Sequence, residues 1–501
     1  MVALSVSQEI IALARLVVLA RLLSPNDFGL AGIAMLALST IDTFTQPNFE
    51  NALIQAKGDV RAHLSSAWTV GVLRGVGASA LTFLAAPYAA IFFRTPEATP
   101  LIRAIAAALF VRSFTNIAVI YFRKELEFRK QFAWQFSGRV ADFVVAVVAA
   151  VLLHNAWALV LAFIAADAAK LLLSYWLHPY RPRFALDSAR TRELFDFGKW
   201  LLGIGMIVFL IGQIDNALVG RLAGATMLGF YQLARRVSNV PTTEIGHVVA
   251  TVAFPAYAKL QDRTTRLREG FLMALELTSV AALPVAGVII VLAPELTAEV
   301  FGAKWLPAVG TMQVLAVWGA LGALQATAEP VLLAVGKPRM LTKYQAIQLV
   351  TLACLIYPLT ARWSIQGAAL AVTLAAVWPS LLSLRRVAKV TACRGAAIGK
   401  AIALPAAGTV LACVSAAALR RWTLADAPIP LRLGLALGLF AAIYAAFVGS
   451  LARKFDYRLG PLLREAASTL RSAAGGRAGA GTGPDANPGP GADSGATPDS
   501  R

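Results

Sequence analysis

Charge is scarce in this sequence. Only 15% of its 501 residues are Asp, Glu, Lys or Arg, while 58% are hydrophobic and the mean hydropathy is +0.66. Soluble domains carry about 25% charged residues, so the composition excludes an ordinary soluble chain and leaves almost nothing for a soluble catalytic domain. Histidine and cysteine are also few. His63, His154, His178 and His247 are scattered, and Cys354, Cys393 and Cys413 show no metal or redox spacing. There is no HExxH, no GxSxG and no phosphate-binding Gly-rich loop followed by Lys-Ser/Thr. No catalytic role and no transport driven by the chain's own ATP hydrolysis is expected. Acids are outnumbered, 27 against 46 bases, for a formal charge of +19. In a soluble protein that excess would suggest nucleic acid. Here the cations lie mainly between apolar segments, where they orient helices, and no nucleic-acid partner is expected.

A bilayer core takes about 20 apolar residues per helix. Windows of that size, broken at charge clusters and Gly/Pro turns, predict an all-α polytopic membrane protein of about fourteen transmembrane helices. The expected spans are 1–22, 27–46, 64–93, 98–122, 130–153, 156–178, 197–221, 227–256, 268–293, 306–335, 339–361, 364–388, 397–419 and 429–452. The first carries Glu9, Arg15 and Arg21 and has no small-residue cleavage site, so it is expected to stay as a helix. It begins so abruptly that some N-terminal residues are expected to be missing. Basic residues cluster after the even-numbered spans, for example Arg123, Lys124, Arg129 and Lys130, or Arg385, Arg386, Lys389 and Arg394. The positive-inside rule then places both termini in the cytoplasm. From Gly475 onward the Gly/Pro/Ala-rich residues 475–501 read as a disordered tail. Leu186 to Phe197, with Asp187 or Ser188 as N-cap, reads as a short interfacial helix within a linker, 179–196.

Residues 19–34, LARLLSPNDFGLAGIA, lie over residues 219–234, VGRLAGATMLGFYQLA, with a constant shift of 200 that pairs Arg21 with Arg221 and Gly29 with Gly229. A second match sets Lys124, Lys130 and Gln135 over Lys337, Lys343 and Gln348 with a shift of 213. The first span thus repeats as the seventh, six spans later and in the same orientation. The expected organisation is a six-helix lobe over 1–178, a second over 197–388, and an extra helix pair over 397–452. Parallel repeats of this kind enclose a cavity that can open to either side.

The motifs ARLLSPNDFGLAGIA, ENALIQ at 50–55, ALVGRLAGATMLGFYQLARRVSNVP and VAFPAYAKLQ at 252–261 resemble the polysaccharide flippases of the MOP superfamily, the Wzx type. That resemblance implies two six-helix lobes with two further C-terminal helices. It implies a substrate of undecaprenyl diphosphate carrying a sugar repeat unit, flipped across the bacterial inner membrane. It also implies a polysaccharide polymerase and a chain-length regulator as neighbours. It implies no cofactor, although a coupling H⁺ or Na⁺ is expected.

Charged groups inside a bilayer are costly and normally face a bundle interior or a wet cavity, so each marks a possible site. A diphosphate calls for cations that stay charged when partly desolvated, which suits arginine. Arg15 is the first choice, with Gln8 and Glu9 nearby; the alternative is a bundle-holding pair with an acid of another helix. Arg112, with Asn116 one turn on, lacks a local partner and is a second candidate. Arg139 is expected to be neutralised by Asp142, and Asp167 by Lys170, at helical spacing. Arg21 and Arg221 start short outer turns, where snorkelling or a structural role is expected. The densest polar stretch holds Gln213, Asp215, Asn216, Gln232, Arg235, Arg236, Asn239, Glu244 and His247. Arg235 or Arg236 is expected to face the cavity opposite Arg15. Asp42, Asp215 and Glu244 are candidates for the coupling ion, since a carboxylate in low dielectric can exchange a proton near neutral pH. The alternative for each is a salt bridge to one of the arginines. A cation extruder on the same scaffold would want an acid-lined cavity, and a membrane enzyme would want a substantial outer loop. The intramembrane arginines argue against the first and the short outer connections against the second.

Overall fold

Between the first two helices the chain turns in two residues, and its side chains enforce the turn. Helix α1 (Val2–Leu22) ends on Leu22, and α2 (Pro25–Thr45) starts with proline at its first position, where a missing N–H costs nothing. Ser24 Oγ accepts from the Asp27 N–H at 3.2 Å, and Asp27 Oδ2 accepts from the Ser24 N–H at 2.9 Å. This reciprocal cap satisfies two of the donors a helix start leaves unpaired.

The computed structural model describes residues 2–46, 61–240, 245–422 and 428–454; the side chains of residues 2–10 and 188–201 are among those not described. Every regular element within these ranges is helical. After α2 come α3 (Arg61–Phe93), α4 (Ala98–Ser113), a 3-10 turn (Ile117–Val119), the short α5 (Ile120–Lys124), α6 (Phe128–Leu153) and α7 (Trp157–Leu177). The rest comprises α8 (Ser188–Ala223), α9 (Ala225–Ser238), α10 (His247–Leu260), α11 (Thr264–Leu296), α12 (Val309–Ala334), α13 (Pro338–Val390), α14 (Gly395–Trp422) and α15 (Ile429–Lys454). Ten described helices are long and apolar enough to cross a membrane, or eleven if the bent α4–α5 pair is one span. This is a polytopic membrane protein.

Several expected boundaries move. The expected interfacial helix at 186–197 and the span after it are one helix, α8, because no proline interrupts its hydrogen-bond ladder. The expected span 227–256 is described as two helices, α9 and α10, and residues 241–244 between them lie outside the described residues. The expected span 98–122 bends by 72° between α4 and the turn that leads into α5. Spans 339–361 and 364–388 form the single run α13, broken by non-helical Trp363 and Ser364, the latter at φ 51°. Glu244, the motif ENALIQ at 50–55 and the tail 475–501 lie outside the described residues.

Residues Met1–Val448 form one compact unit. Within it α1, α3, α4, α6 and α7 pack mainly on one another and on α2, while α8 to α14 pack mainly among themselves. Contact between the two sets is concentrated on α2, which packs on α9 and α8, and on α3, which packs on α8.

At the crossing of α2 and α9 the sequence repeat becomes a contact. A Cβ on Gly29 would fall 1.7 Å from the Ala225 carbonyl oxygen, and one on Gly229 would fall 1.9 Å from the Pro25 carbonyl oxygen. Pro25 and Ala225 are themselves 200 residues apart, so each glycine admits its counterpart's helix start. Thr226 Oγ1 donates to Asn26 Oδ1 at 3.2 Å. The turn into α9 passes through Gly224 at φ 86°, a conformation that favours glycine.

The paired arginines complete this seal. Arg21 donates to the carbonyls of Glu299 and Val300, in a π-helical turn (Thr297–Phe301) that extends α11. Arg221 donates to the Phe92 carbonyl at the end of α3. Lys304 Nζ in turn donates to the Arg21 and Leu23 carbonyls at 2.8 and 2.7 Å. Each cation satisfies carbonyls at a helix C-terminus, where the helix dipole favours positive charge. The fully buried Trp305 donates to the Ala20 carbonyl at 2.8 Å and meets Phe28 and Phe230 edge-on. Arg21 and Arg221 therefore have the structural role expected of them, as interlocks between the two halves of the chain.

Candidate substrate cavity

Below this seal a cavity of about 440 Å³ lies between α2, α7, α8 and α9. Gly32, Met35 and Ser39 line it from α2, Gln213 and Asn216 from α8, and Gln232, Arg235, Arg236 and Asn239 from α9. Arg235 is fixed by its surroundings. It forms an ion pair with Asp215, which is fully buried, and its guanidinium lies 5.3 Å from the centre of the Trp318 ring. Asp215 also accepts from Tyr231 Oη at 2.7 Å and from the Asn216 N–H at 2.8 Å. Its carboxylate is thus saturated by a cation and two donors.

Removing one member of such a buried pair strands the other, at a cost of about 3–5 kcal/mol. Arg235→Ala is therefore expected to lower the amount of protein in the membrane sharply, and Asp215→Asn in the same chain to restore much of it. Immunoblots of membrane fractions check this; a single variant as abundant as wild type would show that the pair does not hold the fold.

Arg15, on α1, lies with its Nε 2.7 Å from Asp142 Oδ2 on α6, although the N–H is not aligned as a hydrogen bond. The expected Arg139–Asp142 pairing is thus replaced by one between helices. Arg139 and Arg236 are both near enough to act electrostatically on Arg15. Asp142 in turn is within electrostatic reach of Arg15, Arg139 and Lys170, and Arg236 belongs to the cavity wall, so several cations lie close together here. Such a cluster favours an anion with several acceptor oxygens. The backbone of Gln8 lies in α1, but its side chain is outside the described residues.

Arg112 and Asn116 stand elsewhere, in a second cavity of about 320 Å³ lined by residues of α2, α3, α4, α6 and α7. Arg112 Nη2 reaches Asp42 Oδ2 at 2.5 Å, and Arg74 Nη1 reaches Asp42 Oδ1 at 2.9 Å. Asp42 is thus clamped between two cations. Asn116 is a capping residue. Its Oδ1 accepts from the Ala118 N–H at 3.0 Å and its Nδ2 donates to the Tyr180 carbonyl at 2.7 Å. Those two bonds hold the bend after α4 and commit the amide to the backbone.

An apolar groove of about 500 Å³ runs between α2, α3 and α8, lined by Ile41, Phe44, Tyr88, Phe92 and Phe209 among others. Leu36 and Gln213 line both this groove and the central cavity, so the two adjoin.

Residues 18–310 match the family described as polysaccharide biosynthesis protein. The chain belongs to that family. Among this family's relatives, the lipopolysaccharide biosynthesis protein WzxC of Escherichia coli (strain K12) is 28% identical over 313 residues. The match covers 62% of this chain and 64% of that protein, so the chain spans less than two thirds of its relative's length. In fold, the lipid II flippase MurJ in an inward closed conformation superposes with a TM-score of 0.72 at 13% identity, covering 90% of this chain and 99% of that one. An inward-facing multidrug resistance MATE transporter of the MOP superfamily gives a TM-score of 0.59 at 15% identity, over 77% of this chain and 96% of that one. The expected resemblance to polysaccharide biosynthesis proteins is thereby borne out, and the fold is shared with the MurJ and MATE structures.

For this member of the polysaccharide biosynthesis protein family, two intramembrane charges of interest escaped the sequence reading. Arg74 is one arm of the Asp42 clamp. Glu329, on α12, accepts from Gln325 Nε2 at 2.8 Å, and Gln325 Oε1 in turn accepts from Ser380 Oγ at 3.1 Å. Both were visible as lone charges in apolar runs, VGVLRGVG and LQATAEPVLL. Their partners, which give them meaning, were not.

Proposed function

We propose that this chain flips a lipid-linked oligosaccharide, undecaprenyl diphosphate carrying a sugar repeat unit, across the bacterial inner membrane by alternating access. The observation that carries the reading is the arginine cluster at one cavity, where Arg235 and Arg236 line the wall and Arg15 is in electrostatic reach of Arg236, together with the apolar groove that adjoins it. A diphosphate suits the first, and a polyprenyl chain suits the second. The membership of a polysaccharide biosynthesis family supports the same substrate class. A cation extruder would meet repulsion from this cluster.

In this reading the termini are cytoplasmic and the end closed by Arg21, Arg221 and Trp305 faces outward. The head group enters from the cytoplasmic side while the prenyl tail stays in lipid or in the groove. Rocking of the halves then breaks the seal and presents the head group outside. Release is favoured by exchange with H⁺ or Na⁺. Of the coupling candidates Asp42, Asp215 and Glu244, the first two already carry arginines and the third lies outside the described residues, whereas Glu329, a further carboxylate, meets an amide and has no ion pair among the described residues. A polymerase and a chain-length regulator are the proposed partners downstream, since the flipped unit must be joined to others.

Depletion of the protein is expected to cause a build-up of undecaprenyl diphosphate bearing one complete repeat unit, detected by mass spectrometry of lipid extracts. Unchanged lipid together with raised drug sensitivity would overturn the proposal in favour of an extruder.

A further inference from the structure

The 320 Å³ cavity in the first half of the chain contains polar atoms that no described residue satisfies. Asp167, on α7, is only 5% exposed, yet its Oδ2 accepts no hydrogen bond. Trp68, on α3, is 7% exposed and its Nε1–H has no acceptor. Lys170 Nζ, one turn from Asp167, has no carboxylate within 4.0 Å among the described residues. All three residues line the same cavity. Buried donors and acceptors are ordinarily paired, and leaving them unpaired costs most where water is scarce.

The walls are fixed. Trp134 is held by its Nε1–H, which donates to the Lys170 carbonyl at 3.0 Å, and Trp68 packs on Phe184 at 4.9 Å between ring centres. Gly138 leaves room for the Lys170 stem, whose Cε would lie 2.4 Å from a Cβ there. The cations Arg74 and Arg112 share Asp42, which removes much of their pull on an anion.

The orphaned atoms select the ligand by chemistry. A phosphate offers acceptors alone and would be repelled by Asp167. An organic cation offers nothing to the indole N–H or to Lys170. A hydroxyl both donates and accepts, and the C–H faces of a pyranose ring lie well on indole rings. We propose that this cavity is a sugar subsite, in which one residue of the oligosaccharide is held by Trp68, Trp134, Asp167 and Lys170. Asp167 accepts from sugar hydroxyls, and Trp68 Nε1–H and Lys170 donate to them.

The placement suits a head group bound at the arginine cluster, and the inference rests on the flippase reading to that extent. Gln46 of α2's C-terminal end lines the sugar cavity and Ser39 of α2 lines the central one. Seven helical residues separate them, a rise of about 10 Å.

The test uses the purified full chain in lipid nanodiscs and two probes measured by calorimetry. One is the lipid-free oligosaccharide released by mild acid from the lipid that accumulates on depletion, and the other is sugar-free undecaprenyl diphosphate. Asp167→Asn and Trp68→Phe are each expected to weaken oligosaccharide binding about tenfold or more, the scale of one lost hydrogen bond to a charged or buried group, and to leave the sugar-free lipid within about twofold of wild type. Unchanged oligosaccharide binding in both variants, or equal loss for both probes, would overturn the subsite. If wild type binds the sugar-free lipid but not the oligosaccharide, the subsite fails and the flippase reading stands. If wild type binds neither probe, the flippase reading has failed and the subsite with it.

Discussion

Arg15→Ala should abolish polymer export while the protein remains in the membrane at close to its normal level. The guanidinium is partly exposed, at 23% of its side chain, and its partner Asp142 keeps a second cation, Arg139, within electrostatic reach. The carboxylate is therefore not stranded by the loss of Arg15, in contrast to Asp215 without Arg235. What is lost is charge-assisted binding of the diphosphate, about 1.5–3 kcal/mol for each hydrogen bond to a charged group, or roughly 10- to 150-fold in affinity.

The competing explanation is that Arg15 only staples α1 to α6. The two are separated by Arg15→Ala with Asp142→Asn in the same chain. A staple removed from both sides is tolerated, so export should return, whereas a ligand contact stays lost. Export is read as surface polysaccharide and protein level by immunoblot. Recovery in the double variant would reassign Arg15 to the scaffold.

Gly29→Ala is expected to have an effect as large by a different route. The new Cβ would meet the Ala225 carbonyl oxygen at 1.7 Å, and backbone on a packed helix cannot swing aside as a flexible side chain can. The two helices must separate, at a cost of about 1–3 kcal/mol or more for overpacking. Separation of α2 from α9 also pulls on the Arg21, Arg221 and Trp305 contacts, so the seal should open. Export is expected to fail, and Gly229→Ala should reproduce the defect through the Pro25 carbonyl. A cysteine placed at Ala31, which is 2% exposed on α2, should react with an impermeant thiol reagent added outside only when Gly29 is replaced. Equal labelling with and without the replacement would show that the seal does not depend on this close approach.

The charge pattern and the repeat were already sufficient to fix the class of molecule. Long apolar runs must be helical in lipid because only a helix satisfies its own backbone there, so an all-α membrane protein followed from composition and spacing. The matching Arg21/Arg221 and Gly29/Gly229 likewise led to the expectation of two related halves, and in the fold the paired glycines meet at the crossing of α2 and α9. Local breaks were less legible. The single span expected over 227–256 took no account of Pro241, and the sharp bend after α4 is held by Asn116 and the Tyr180 carbonyl, 64 residues apart, a contact that no local pattern reports.

Only the tertiary structure decided what each intramembrane charge does. Helical spacing made Asp142 a partner for Arg139, since residues three apart share a face, but spacing says nothing of a second helix that brings Arg15 to that carboxylate. It left Arg112 without a partner, because Asp42 lies 70 residues away and is delivered by packing. It treated Asp167 and Lys170 as a self-sufficient pair, although an oxygen of the first is left unmet and no described carboxylate lies within 4.0 Å of the second. A sequence determines which charges must be hidden from lipid; which of them neutralise one another, and which are left for a substrate, depends on how the helices pack.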